Sequence, residues 1–304
     1  MTTSQHDTGA TARENVVAII AMVASQAVFT VNDALMKLAA REVPGGEAIF
    51  IRGITSIILS GALAAHLGAF RNFGELIRQW RLVTIRNLGE VGATLLYLTA
   101  LFHMPIADAT AILQALPLAI TAAAALVFGE PVGWRRWLAT AVGLAGVLVV
   151  IRPGTSAVNP WSLVALAAVA AVVTRDLSTR RIHRGVPTIL LTFISSIAVA
   201  LMALAQSLFE TWHMPNGRAL TLGTSAAVFV IAGYFLVIEA MRRGEVAVVA
   251  PFRYSGIIWA IIAGIIIFGE WPDRLALLGT AVIISAGLYT FFRERKLNIQ
   301  RGRP

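Results

Sequence analysis

The chain of 304 residues contains no cysteine. Disulfide frameworks and thiolate metal sites are therefore excluded. Histidine is scarce, with five in all. His66 and His103 stand alone within apolar stretches, and no HExxH run, GxSxG run or acidic cluster occurs. An integral membrane enzyme that works through a metal or a serine nucleophile is therefore a remote alternative. No Walker A run is present, which argues against direct use of ATP. Charge is the most telling shortage. Asp, Glu, Lys and Arg make up 13% of the chain and hydrophobic residues 57%, where a soluble domain carries roughly 25% charged residues. A particle of this composition needs lipid as its solvent.

What is present is a series of long apolar runs. Many reach the ~20 residues needed to cross about 30 Å of hydrocarbon. Ten spans are expected, near 15–39, 47–69, 81–103, 106–128, 134–151, 160–179, 187–209, 218–241, 246–268 and 273–292. The breaks between them carry turn chemistry, such as PGG at 44–46, RNFGE at 71–75, EPVG at 130–133 and EWPD at 270–273. Lipid offers the backbone no hydrogen bonds, so the spans are helices. The polar N-terminal stretch lacks a basic n-region, so no cleaved signal is expected and the first helix stays in the membrane. The net charge of +9 is distributed as topology rather than as a nucleic-acid surface. With the N-terminus inside, 17 of the 25 basic residues fall in inside segments, 5 in outside segments and 3 (Arg52, Arg86, Arg253) within spans. That bias predicts both termini inside.

The chain is also written twice. VFTVNDALMKLAAREVP (28–44) matches AVVTRDLSTRRIHRGVP (171–187) at Asp33/Asp176, Lys37/Arg180, Arg41/Arg184 and the Val-Pro ends, an offset of 143. ALVFGE (125–130) matches IIIFGE (265–270) at an offset of 140. Five spans per copy is odd, so the second copy enters the membrane upside down relative to the first. Inverted repeats are the architecture of many secondary transporters. The expected organisation is a polar tail (1–14), a first five-helix repeat (15–152), a second, inverted repeat (160–292) and a basic tail (293–304) resting on anionic lipid. Both repeats share one chain, so a monomer suffices.

Several stretches resemble the drug/metabolite transporter superfamily, specifically its ten-span EamA-type members. They are NDALMK in span 1, FIR opening span 2, ADATAILQALPL entering span 4, and the two FGE runs, above all FRYSGIIWAIIAGIIIFGEWPD around span 9. The resemblance implies a secondary transporter of the bacterial inner membrane working by alternating access, with export the commoner direction. Its cargo would be a small metabolite; relatives of this type move amino acids, purines, riboflavin, S-adenosylmethionine, opine metallophores or toxic compounds. No cofactor is implied.

Ionisable residues inside spans cost at least about 2.5–3.5 kcal/mol each at mid-bilayer, so they mark function. Asp33 and Lys37, four apart on one helix face, are expected to pair. With Asn32, and with Arg52 roughly 8 Å into span 2, they form either an outer gate or a fixed pin between spans 1 and 2. Arg86 and Glu90 repeat the four-residue spacing in span 3, with Glu90 about 14 Å deep; Arg253 lies about 10 Å into span 9. In the repeat alignment Glu90 meets Val230 and Arg253 meets Leu113. These departures from symmetry are where a single cargo is read. Glu90 and Arg253 either face one cavity, where an acid and a base suit a zwitterion, amino-acid-like in size, or form a buried structural pair. Gln114 aligns with Tyr254, and both suit orienting contacts in an apolar pocket. Tyr97 and Trp259 are further wall candidates. Pro117 and Pro251 are expected to kink spans 4 and 9. Protons are a candidate coupling ion through Glu90 or Asp33, although no relay is legible. Glu239 is expected to pair with Arg242 or Arg243. Glu130 and Glu270 are expected to close helix ends at the interfaces.

Overall fold

The computed structural model describes residues 12–129, 133–151, 159–183 and 185–300. Glu130, Arg152 and Arg184 lie outside the described residues, as do the two chain ends. Among the described residues every regular element is helical. The long helices are α1 (Ala12–Ala39), α2 (Gly45–His66), α4 (Trp80–His103), α7 (Trp134–Ile151), α8 (Pro160–Arg181), α9 (Thr188–Gln206), α10 (Gly217–Arg243) and α13 (Arg274–Gln300). Shorter pieces are α3 (Phe73–Arg78), α5 (Ile106–Leu113), α6 (Leu116–Phe128), α11 (Val246–Val249) and α12 (Ser255–Ala263). Nine helical segments among the described residues are long and apolar enough to cross a membrane, counting α5–α6 as one and residues 250–268 as one. The chain is a multi-pass membrane protein. The helix α4 is long enough to cross, yet it is too polar to count with the nine, because Arg86, Asn87 and Glu90 sit in its first half.

Five pairings build the bundle: α1 with α10, α4 with α8, α2 with α9, α7 with α13, and α5 with α12. Small residues set how closely these pairs approach. A Cβ on Gly89 would lie 2.7 Å from the backbone nitrogen of Arg175, so α4 and α8 touch backbone to backbone. A Cβ on Gly279 would lie 2.6 Å from the carbonyl oxygen of Gly146, which fixes the α7–α13 crossing. A Cβ on Gly233 would lie 2.8 Å from the Phe29 ring, so α10 seats directly on α1.

Three sequence expectations change. The RNFGE turn is a 3-10 turn (Ala69–Asn72) followed by α3, tucked over the α9 end with Leu76 and Ala69 in a small apolar cluster. Span 10 does not stop at 292; its helix runs to Gln300. Spans 4 and 9 are discontinuous rather than merely bent. The first breaks between Leu113 and Leu116, where Pro117 has no N–H for the carbonyl four residues earlier. The second passes through α11, a 3-10 stretch (Ala250–Tyr254) containing Pro251, then α12, then a π-helical turn (Gly264–Phe268). Both end at the repeated FGE, and Gly129 and Gly269 both take the left-handed conformation (φ 65° and 68°), which glycine adopts at little cost.

Candidate functional site

The broken helices α5–α6 and α12 face α1, α4, α8 and α10 across a cavity of about 490 Å³. That is the size range of drug-sized ligand sites. The sequence candidates Asn32, Asp33, Arg52, Glu90, Tyr97, Gln114, Pro117, Pro251, Arg253 and Tyr254 all border it. Trp259, Arg86 and Lys37 do not.

Asp33 projects from the last two turns of α1 and is held on both oxygens. Tyr97 donates its hydroxyl hydrogen to Oδ2 at 2.7 Å, and the Asn32 amide donates to Oδ1 at 2.9 Å. Arg52 is the cation within electrostatic reach. Asp33 does not pair with Lys37 as the four-residue spacing suggests. Lys37 is buried, 6% exposed, one turn further along α1. Its ammonium donates to Glu270 Oε1 at 2.6 Å and to the Met104 carbonyl at 2.6 Å. The other Glu270 oxygen accepts the Ile106 N–H at 3.0 Å, the first turn of α5, where a carboxylate is favoured. One carboxylate thus ties α1, the α4–α5 hairpin and the end of the second broken helix together. Gate residues expected to meet are therefore split. Asp33, Asn32 and Arg52 belong to the cavity, and Lys37 belongs to a separate ion pair whose acid comes from 233 positions away.

Glu90 and Arg253 share the cavity but do not pair with each other. Glu90 sits 3.7 Å from Arg86 and 3.6 Å from Arg175. Arg175 is brought there by the Gly89 contact and also holds Asp176 at 2.8 Å. Arg86 is buried and turned away from the cavity. It donates to Ser195 on α9 and to Asn87 at 3.3 Å, so it pins α4 to α9. Arg253 stands at the 3-10 break. Its carbonyl accepts from the Gln114 side chain at 3.3 Å, which links the two broken helices at their discontinuities. Among the described residues no carboxylate lies within 4 Å of the Arg253 guanidinium. Glu239 pairs with Arg243 on α10.

Sequence reasoning missed Arg175, Arg180, Tyr234, Phe29 and Phe291, which also line the cavity. Tyr234 is 42% exposed and packs edge-on against Phe29 at 5.3 Å. The repeat alignment held the missing signal. Offsets of 140 and 143 put Tyr234 on Thr94, Arg175 on Asn32 and Val172 on Phe29, and all six border the cavity.

The model of the EamA-like transporter family matches residues 16–152 and again 159–292. The chain is 26% identical to an S-adenosylmethionine uptake transporter of Rickettsia felis over 91% of its own length and 92% of that protein's. It is 29% identical to a riboflavin transporter of Rhizobium johnstonii (71% and 72% covered). It is 26% identical to a pseudopaline exporter of Pseudomonas aeruginosa (85% and 90% covered). A solved crystal structure shares the fold with a TM-score of 0.60 at 23% identity, covering 92% of this chain and 98% of its own. The twice-matched family model, extending over nearly the whole helical bundle, makes this chain a member of the EamA-like transporter family.

Proposed function

We propose that the protein is a secondary carrier that moves a small, carboxylate-bearing, amino-acid-like metabolite across the bacterial inner membrane by alternating access, with export the expected direction. The single observation that carries the cargo class is Arg253. It is a guanidinium on the cavity wall with no carboxylate partner among the described residues, seated where two broken helices meet. A bidentate donor in that position is made for a planar carboxylate. The nearby acids and tyrosines supply places for the remainder of the cargo.

The transport reading rests on two inverted five-helix repeats, with α4 as the tenth span and both termini inside. The helix pairings support it. Exchanging the two repeats turns α1–α10 into α8–α4 and returns the other three pairs to themselves, and all five pairings occur. The cavity supports it too, since repeat-equivalent residues border it in couples: Glu90 and Val230, Thr94 and Tyr234, Leu113 and Arg253, Gln114 and Tyr254. Beyond this shared core the equivalence fails in one direction. Arg180, Ile120 and Phe291 continue the cavity toward the inside. Their counterparts Lys37 (6% exposed), Ala260 (0%) and Ile151 (2%) are packed away. We read this as an inward-open state closed outside by the Lys37–Glu270 latch. The outward-open state needs that latch broken.

A second reading has a specific observation behind it. Phe29, Tyr97, Tyr234, Tyr254 and Phe291 give the cavity an aromatic wall, and relatives are named for S-adenosylmethionine and riboflavin. A ring-bearing metabolite is the alternative cargo.

The test is counterflow in proteoliposomes preloaded with single unlabelled metabolites, amino acids and ring-bearing compounds among them. Saturable exchange that Arg253→Gln reduces by two orders of magnitude supports the reading. Exchange that survives Arg253→Gln unchanged ends the assignment of the carboxylate site.

A further inference from the structure

We infer that the cargo carries a net negative charge, with two acidic groups placed to meet Arg253 and Arg180. The inference deepens the proposed carboxylate site and rests on it. Four guanidiniums border the cavity, from Arg52, Arg175, Arg180 and Arg253, against two carboxylates, from Asp33 and Glu90. The partners just behind the wall leave the balance unaltered, since Arg86 stands by Glu90 and Asp176 by Arg175. The cavity lining therefore holds two more positive than negative charges, with or without those two partners.

The excess is localised. Glu90 is held between Arg86 and Arg175, and Asp33, which no other guanidinium engages, acts on Arg52 from beyond 4 Å. The carboxylate acting on Arg253 is Asp176, which is already bound to Arg175 at 2.8 Å. Arg180 has no carboxylate within 4 Å among the described residues. It is also exposed at the inner mouth. Its repeat counterpart Lys37 shows the contrast, fully matched by Glu270 and a carbonyl. A guanidinium remains charged at any physiological pH, so it cannot shed its charge to reduce the cost of leaving water. A pocket that closes on two such unmatched groups is stabilised by a cargo that brings the countercharge, and a cationic cargo is repelled. S-adenosylmethionine, with a sulfonium, an ammonium and a single carboxylate, has the wrong sign.

The test uses purified full-length protein in neutral detergent with the arginine reagent phenylglyoxal. Adducts at Arg253 and Arg180 are followed by mass spectrometry at matched ionic strength. Probes are glutamate, an opine dicarboxylate, citrate, glutamine, lysine and S-adenosylmethionine. At least one of the acidic compounds should slow modification of both arginines fivefold or more, while glutamine, lysine and S-adenosylmethionine leave the rates within twofold of sodium chloride. Equal or better protection by lysine or S-adenosylmethionine, or no protection by any acidic probe, overturns the inference. Phosphatidylglycerol is run as a separate arm. Protection by that lipid alone assigns the countercharge to a headgroup and also overturns it. Counterflow of the protecting compound is measured in parallel in phosphatidylcholine liposomes. Protection without flux leaves the net-negative ligand standing and removes the carrier reading instead.

Discussion

The two ends of this bundle carry two copies of one sparse motif, an Asp with a base four residues later and a Val-Pro end, and the fold uses the two bases in opposite ways. At one end Lys37 is buried under Glu270, the Met104 carbonyl and the α5 N-terminus. At the other end Arg180, which occupies the Lys37 place in the second copy of the motif, is exposed and borders the cavity. The same contrast repeats at Ala260 against Ile120 and at Ile151 against Phe291. The difference lies in which partners the fold brings to each position, since both copies place a base four residues after an Asp. A carrier needs this property, because two arrangements of similar energy must trade places around one site.

The strongest way to break the comparison is at the shared site. Arg253→Gln should lower the exchange rate by about two orders of magnitude, since removing a charge-assisted bidentate contact costs roughly 1.5–3 kcal/mol or more. Counterflow rates read this directly. The latch comes next. Glu270→Gln leaves the buried Lys37 ammonium without its carboxylate, a loss of about 3–5 kcal/mol for the outer-closed form. The expected result is a lower melting temperature and slower exchange, partly restored by the double exchange Lys37→Glu with Glu270→Lys. No recovery in the double variant, with both singles folded, would remove the latch from the account.

A packing change should be smaller and of a different kind. Gly89→Val places side-chain atoms where the Arg175 backbone now lies, so α4 and α8 must part. About 1–3 kcal/mol of stability should be lost, together with the Glu90–Arg175 contact, which thermal denaturation and transport assays would separate. Tyr97→Phe deletes one of two hydrogen bonds to Asp33. It should cost about 1 kcal/mol and several-fold in apparent affinity. The smallest effect belongs to Trp259→Phe, which touches no cavity wall and should leave the exchange kinetics within twofold.

Composition and hydropathy were enough to read the bundle, because lipid leaves helices as the only solution for such runs. The site was legible in part. Glu90, Arg253, Gln114 and Tyr254 stood out because polar groups deep in apolar helices require a reason. Local spacing misled at Lys37. Four residues from Asp33 sets who is able to meet, but a carboxylate from 233 positions away, with a carbonyl beside it, offered the ammonium a fuller shell. Arg175 and Arg180 were overlooked because arginines at a helix end read as markers of topology. Their place in the duplicated motif, opposite Asn32 and Lys37, was the available clue. Arg86 resembled a binding residue by the same depth argument, yet its Nη1 is turned to Ser195 and Asn87, away from the cavity.

The absence of native cysteine makes the most direct test clean. Single cysteines at the equivalent positions 120 and 260, in reconstituted protein, would be labelled with a membrane-impermeant maleimide added to one side at a time. The account predicts rapid labelling at 120 from the inside and protection at 260. In the Glu270→Gln background it predicts at least tenfold faster labelling at 260 from the outside, with slower labelling at 120. Equal reactivity at the two positions, or rates at both that ignore Glu270→Gln, would contradict a gate at the outer end and with it the alternating-access reading of this structure.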